Sequence, residues 1–290
     1  MARFPYLKDL LTHGGGDRST RAPQATAATA RPTRAASGAV AILPFHGIAV
    51  QRTDAIGEIL GLVSIDRFTQ NFRAAMADDS IGGVVIDIDS SGGSAYGIGE
   101  LADEIYRARA RKPIAAVANS LAASGAYWIA SSASEVYSTP GGEVGSIGVF
   151  AAHQDFSKAL DKAGLKPTLI WKGKYKVERS PFAPLGDAAR HHLQTMVDEC
   201  YGAFTRAVAR NRGVEVAKVR EGMGEGRTLS AQAAKAENMV DGVATLDEVV
   251  RKLAKQVGQG KPAAPPSRAA VSRTGSRIDG YQRVIDMFNT

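Results

Sequence analysis

The chain has 290 residues, 44% hydrophobic and 22% charged, an ordinary globular composition with enough apolar material for one large α/β domain plus tails. The formal net charge of +7 gathers toward the basic segments 17–34 and 252–277 instead of a basic helix or an aromatic-interleaved patch, which argues against nucleic-acid binding as the main role. A single cysteine excludes an internal disulfide, and the lack of any run of about 18 apolar residues argues against a membrane span or anchor.

In chain order, residues 1–38 read as a flexible N-terminal segment, because 12–38 is rich in Gly, Ala, Thr, Arg and Pro and carries no apolar period. No continuous apolar stretch follows the first basic residues, so no secretory signal is expected. Val40 to Phe45 predicts a strand, Ile65 to Met76 a helix and Val84 to Ile88 a buried strand. Gly97 to Arg109 predicts a helix, Ile114 to Val117 a strand, Ser124 to Ala133 a short helix, and Val136 with its neighbours another strand. Beyond Gly148 the pattern predicts a helix near Phe156 to Ala163, a strand at Thr168 to Trp171, a loop from Lys172 to Leu185 and a long amphipathic helix from Asp187 to Arg210. Cys200 lies on that helix among Leu193, Met196, Val197, Phe204 and Val208, and reads as core packing. A smaller helical region closes the domain at 39–254. Residues 255–290 read as a flexible basic Pro/Ala-rich tail, in which Ile278 to Phe288 forms either a short partner-docking helix or part of an inert end. Repeated strand-helix-strand units imply an α/β fold with a mainly parallel sheet, and such sheets gather functional loops at their strand carboxyl ends.

Two segments stand at such ends. Asp89-Ser90-Ser91-Gly92-Gly93-Ser94 directly follows a buried strand, and paired glycines let backbone N–H groups approach an oxyanion or a phosphate; a plain tight turn is the simpler alternative. No Gly-Lys-Ser/Thr ending supports the phosphate reading. Asn119 to Trp128 runs from a strand into a helix, with Ser124 between small residues. Ser124 either caps that helix or is a nucleophile sitting in the positive field of the helix N-terminus.

A serine nucleophile needs a base. The five histidines, His13, His46, His153, His191 and His192, carry no matching acid signature and read as structural or solvated. A lysine serves when apolar burial favours its neutral amine, and the loop Trp171 to Pro181 holds three, Lys172, Lys174 and Lys176, which spacing alone does not separate from one another or from a solvated basic surface.

At this point the residues resemble a known family. Ala123-Ser124-Gly125-Ala126-Tyr127-Trp128-Ile129-Ala130 is similar to the nucleophile segment of signal-peptide-peptidase-A-type serine proteases, peptidase family S49. Val40 to Gly47 resembles the first core strand, Asp89 to Gly93 the family's Ser-Pro-Gly-Gly oxyanion loop, and Gly145-Ser146-Ile147-Gly148-Val149 a later strand. Gly173-Lys174-Tyr175-Lys176 is similar to the family's Gly-x-x-Lys, whose last position is the catalytic lysine; Gly226 to Ser230 and Asn238 to Asp241 match further segments. The resemblance covers about residues 38–254, with two departures: Ser91 stands at a usual proline and Ala126 at a frequent glycine.

The resemblance implies a ClpP/crotonase-like spiral, Ser124 as nucleophile, Lys176 as general base, and Gly92, Gly93 and Gly125 lining the oxyanion hole and substrate site, with no cofactor and no metal. Ala126-Tyr127-Trp128 looks most like the phage and prophage branch, whose members process capsid and scaffold proteins inside assembling heads. A polypeptide substrate, a homo-oligomer, a portal or shell protein as partner, and residence in the host cytoplasm or an assembling procapsid are the corresponding expectations. The alternatives are a cellular signal-peptide-peptidase-like enzyme, a crotonase-like acyl-CoA enzyme and a catalytically silent scaffold-binding module.

Overall fold

A computed structural model describes residues 38–259; the two terminal segments, His13 and the helix expected at Ile278 to Phe288 lie outside the described residues. Eleven basic and four acidic residues fall outside that range, so the net +7 belongs entirely to the ends, and acids and bases balance within the body.

The chain runs β1 (Ala39–Val50), α1 (Ala55–Ile59), β2 (Leu62–Ser64), α2 (Ile65–Ala77), β3 (Ile81–Gly93), α3 (Ile98–Ala108), β4 (Ile114–Ala123), α4 (Gly125–Ser131), β5 (Glu135–Ser138) and β6 (Glu143–Gly145). There follow α5 (Ser157–Lys162), α6 (Asp187–Arg212), α7 (Val216–Glu221), β7 (Thr228–Ser230), α8 (Ala231–Ala236), β8 (Gly242–Val243) and α9 (Leu246–Gly258), the last continuing past residue 254. The sheet order is β2-β1-β3-β4-β5-β8, with β6 also on β4 and β7 on β6. The strand pairs are parallel except β6–β7, which makes this the mainly parallel α/β sheet that the alternation predicted.

The central strands β3 and β4 are apolar on both faces because both faces are covered. Pleating sends Val84, Ile86 and Ile88 of β3 into a core with Phe68 and Phe72 of α2 and Leu101 and Ile105 of α3. The intervening Val85, with Val117 of β4, faces Val249 and Leu253 of α9. Local chemistry sets the helix starts: Ser64 Oγ accepts from the Arg67 N–H at α2, and Thr245 and Glu248 form a reciprocal capping box at α9.

β4 has a divided role. Ile88 pairs with Ala118 but Ser90 with Ala122, so β4 bulges at 119–121; its first half pairs with β5 and its second half with β6. The bend carries the end of β4 to a separate branch of the sheet. The helix that follows is pinned from behind. Trp128 stacks on Phe204 of α6 with ring centroids 4.7 Å apart, and buried Asn211 of α6 donates to Ser131 Oγ at 3.0 Å and to Ser132 Oγ at 3.1 Å. Removing that amide leaves buried hydroxyl oxygens without a donor, so Asn211→Ala is expected to cost about 1–3 kcal/mol. Thermal unfolding should show this as a midpoint lowered by roughly 3–10 °C.

The stretch from β6 to α6 departs from expectation. No residue from 148 to 188 is buried, and Thr168 to Trp171, predicted as a strand on its β-branched and aromatic content, pairs with no strand among the described residues. Propensity alone does not make a strand; a partner ladder does. The first half of α6 is likewise only partly covered, and Cys200 is half-buried instead of in the core; burial still pushes its thiol up.

Candidate active site

Ser124 is the first residue beyond β4. Its N–H donates to the Gly145 carbonyl of β6 at 2.8 Å, and its own carbonyl accepts from the Trp128 N–H at 3.1 Å, closing the first turn of α4. Ladder above and helix below leave the residue between them no free rotation, and it takes φ 52° and ψ −125°, a region that strains any residue bearing a Cβ. Ser146, one step beyond Gly145, is also left-handed, and its N–H donates to the Arg227 carbonyl at 2.8 Å, tying down the acceptor for Ser124. Ser124 occupies the N-cap position of α4, yet its side chain makes no capping hydrogen bond. The capping explanation for this serine therefore fails, and its hydroxyl is available for other work.

Gly92 lies against it. A Cβ on Gly92 would sit 2.7 Å from the Ala123 carbonyl oxygen, 2.8 Å from Ser124 Cβ and 2.9 Å from the Gly125 nitrogen, at a φ of +86°. Gly93 has a different neighbour: a Cβ there would meet the Ala49 carbonyl of β1 at 2.1 Å. One glycine lets the loop touch the serine turn, and the other lets β3 touch β1. The Gly92 N–H donates to Ser90 Oγ at 3.1 Å, whereas the Gly125 N–H heads α4, where no intrahelical acceptor exists.

Lys176 lies in a chain of turns at 173–179, exposed, on the uncovered arm between β6 and α6. Neither Ser124 Oγ nor Lys176 Nζ takes a hydrogen-bond partner among the described residues. The arm nonetheless returns to the glycine loop: partial burial raises the Tyr96 hydroxyl above its ordinary value, and the nearby positive charge of Arg179 opposes that rise. Tyr96 lies in the turn between β3 and α3, and Arg179 is three residues past Lys176. Lys174 is set apart from its neighbours. Its Nζ lies 4.9 Å from the centre of the Tyr175 ring, and the adjacent Tyr175 side chain raises its pKa.

The histidines fall elsewhere. His46 Nε2 meets Asp87 Oδ2 at 3.0 Å, but Asp87 pairs with Val117, seven residues before Ser124 on β4. His153 Nε2 bonds the Ala183 carbonyl at 3.1 Å, and His191 and His192 are exposed. Tyr96 and Arg179 were not singled out by the sequence, since nothing local marks two side chains from segments so far apart.

A strand-to-helix serine turn with a glycine loop pressed against it, on a mainly parallel sheet, defines an α/β protein with a candidate site at the carboxyl end of β4. The comparison with known families is specific: the model of Peptidase family S49 matches residues 106–260, and the chain belongs to that family. It is 30% identical over 247 residues to Capsid assembly protease C of Escherichia phage lambda, covering 83% of this chain and 56% of that protein. It is 36% identical over 187 residues to Head-tail preconnector protein GP5 of Enterobacteria phage P21, covering 64% of this chain and 37% of that protein. The chain thus spans only about half, or less, of the length of these relatives. Among solved structures it is similar to a ClpP1 mutant from Listeria monocytogenes, with TM-score 0.42 and 13% identity over 73% of this chain and 94% of that one. No helix among the described residues is long and apolar enough to cross a membrane.

Proposed function

We propose that the protein is a serine endopeptidase in which Ser124 is the nucleophile and Lys176 the general base, acting on capsid or scaffold proteins during phage head assembly. The observation that carries this reading is the uncapped, strained Ser124 held against Gly92 at the head of α4. Family membership supports peptide-bond chemistry, and the names of the two phage relatives support the substrate class.

Lys176 takes the Ser124 hydroxyl proton as Oγ bonds to the scissile carbonyl carbon. The oxyanion is met by the Gly125 N–H in the positive field of the α4 N-terminus, with the Gly93 N–H, or the Gly92 N–H once it leaves Ser90 Oγ, as second donor. The C–N bond then breaks and the amine leaves with the proton from Lys176; water, deprotonated by the same lysine, bonds to the acyl carbon, and the ester C–O bond breaks as Ser124 Oγ takes that proton back. An amine accepts a proton only when uncharged, and apolar cover favours that form.

In one chain Lys176 is exposed, and the arm that carries it also exposes Ile170 at 95%, Phe150 at 89% and Trp171 at 54%. So many uncovered apolar side chains on one segment favour a homo-oligomer, in which a second copy covers the arm and its lysine together. Activity per mole is therefore expected to fall on dilution, in step with loss of the assembly in sedimentation velocity. Constant activity from a monomer would remove the assembly from the mechanism.

The direct test is co-expression with the capsid and scaffold proteins of the same genome, comparing the parent with Ser124→Ala and Lys176→Ala on gels. Cleavage surviving either change would end the proposed dyad. Fluorophosphonate labelling mapped to Ser124 separates the protease from an acyl-CoA enzyme or a silent scaffold module, neither of which needs an activated serine.

A further inference from the structure

The arm contains a cleft of about 620 Å³ whose walls are Ala152 to Gln154 with Phe156 on one side, Arg179 and Pro181 on the other, and Leu193 of α6. Its walls are fixed to each other by the Phe156 N–H donating to the Pro181 carbonyl at 2.8 Å and by His153 Nε2 at 3.1 Å from the Ala183 carbonyl. The lining is apolar apart from Gln154, His153 and the guanidinium of Arg179, which has no ion pair among the described residues. The nearby carboxylate of Asp155 is engaged by the Ser157 N–H at 2.8 Å and does not line the cleft. Of the exposed apolar residues of the arm, Phe156 lines the cleft, whereas Phe150, Ile170 and Trp171 do not.

Its position relates it to the serine. Arg179 follows Lys176 by three residues, and its charge is felt at Tyr96, which follows Gly93 by three. An extended polypeptide advances about 3.3 Å per residue, so a cleft three residues from the proposed base would be met by a side chain a few positions from the scissile bond. A guanidinium with apolar walls recognises a carboxylate, and its fork favours the two oxygens of Asp or Glu over any neutral side chain. The geometry points to a subsite, built from Arg179 and His153, that takes an acidic side chain of the polypeptide substrate and sets where the chain is cut. This rests on the protease reading above.

A synthetic dodecapeptide library, degenerate at every position, is digested with the full-length protein, and the products are sequenced by mass spectrometry. Wild type is expected to enrich Asp and Glu about five- to tenfold at one position near the cut. Arg179→Lys should weaken the enrichment, Arg179→Gln abolish it and Arg179→Glu replace it with Lys and Arg, with the effect on matched single peptides appearing in KM more than in kcat. Cleavage with no acidic preference in wild type, or an unaltered preference in both Arg179→Gln and Arg179→Glu, overturns the subsite and leaves the protease reading standing. No cleavage and no fluorophosphonate labelling of Ser124 in wild type overturns the protease reading, and the subsite with it.

Discussion

Replacing Ser124 by alanine is expected to abolish proteolysis and fluorophosphonate labelling, with a fall in kcat of about 10⁴–10⁶-fold, the scale on which nucleophile removal acts when the residues of a site work as a unit. Lys176→Ala should lose a comparable amount, and the double variant should be no worse than either single one, because a nucleophile without its base and a base without its nucleophile are equally idle. Lys172→Ala and Lys174→Ala should lose far less, because neither lysine takes the Ser124 proton in the proposed dyad. Rate measurements on one cleavable peptide decide this, and additive losses would argue against a dyad. Ser124→Gly supplies a second readout that chemistry does not touch. Glycine adopts φ 52° and ψ −125° without a Cβ penalty, so the inactive variant is expected to be more stable by about 1 kcal/mol, or roughly 2–4 °C in thermal midpoint. An unaltered or lowered midpoint would mean that the serine turn stores no strain.

Gly92→Ala is expected to have the largest effect outside the two residues of the dyad. The new methyl group has three neighbours between 2.7 and 2.9 Å, two of them backbone atoms of the serine turn, and the residue would hold φ +86°. Relief is possible only by moving the glycine loop away from Ser124 and Gly125, which spoils the main-chain donors facing the developing oxyanion. A loss of about 10²–10³-fold in kcat is expected, with about 1–3 kcal/mol of stability. Gly93→Ala separates the two consequences. Its methyl would strike the Ala49 carbonyl at 2.1 Å, so stability should suffer through the β1–β3 pairing while the serine turn is less directly affected. Gly141→Ala, with nothing within 4 Å, is the matched control. A Gly92→Ala protein that labels and cleaves at the control's rate would show that the loop is not part of the catalytic surface.

Much of this architecture is written locally. The runs from Val40, Val84 and Ile114, and the periodic stretches from Ile65, Gly97 and Asp187, become β1, β3, β4, α2, α3 and α6, because periodicity, caps and turn residues act over a few positions along the chain. The same is true of the candidates for chemistry: a serine entering a helix and a pair of glycines ending a strand are visible as short motifs. Elements of two or three residues, such as β7 and β8, are not, since they owe their existence to neighbouring strands and not to their own composition.

Tertiary structure alone decided the rest. Ser124 takes a positive φ where its N–H is held by Gly145, from another strand, and its side chain leaves the helix uncapped. Gly92 and Gly93 look equivalent in sequence and differ because one faces Ser124 and the other Ala49. Thr168 to Trp171 has the composition of a strand and is not one, and Arg179 comes within electrostatic reach of Tyr96 across more than eighty residues. In each case the deciding quantity is a hydrogen-bond partner, a steric contact or a charge supplied from far along the chain. Such quantities come into being only when the sheet closes and brings those segments together.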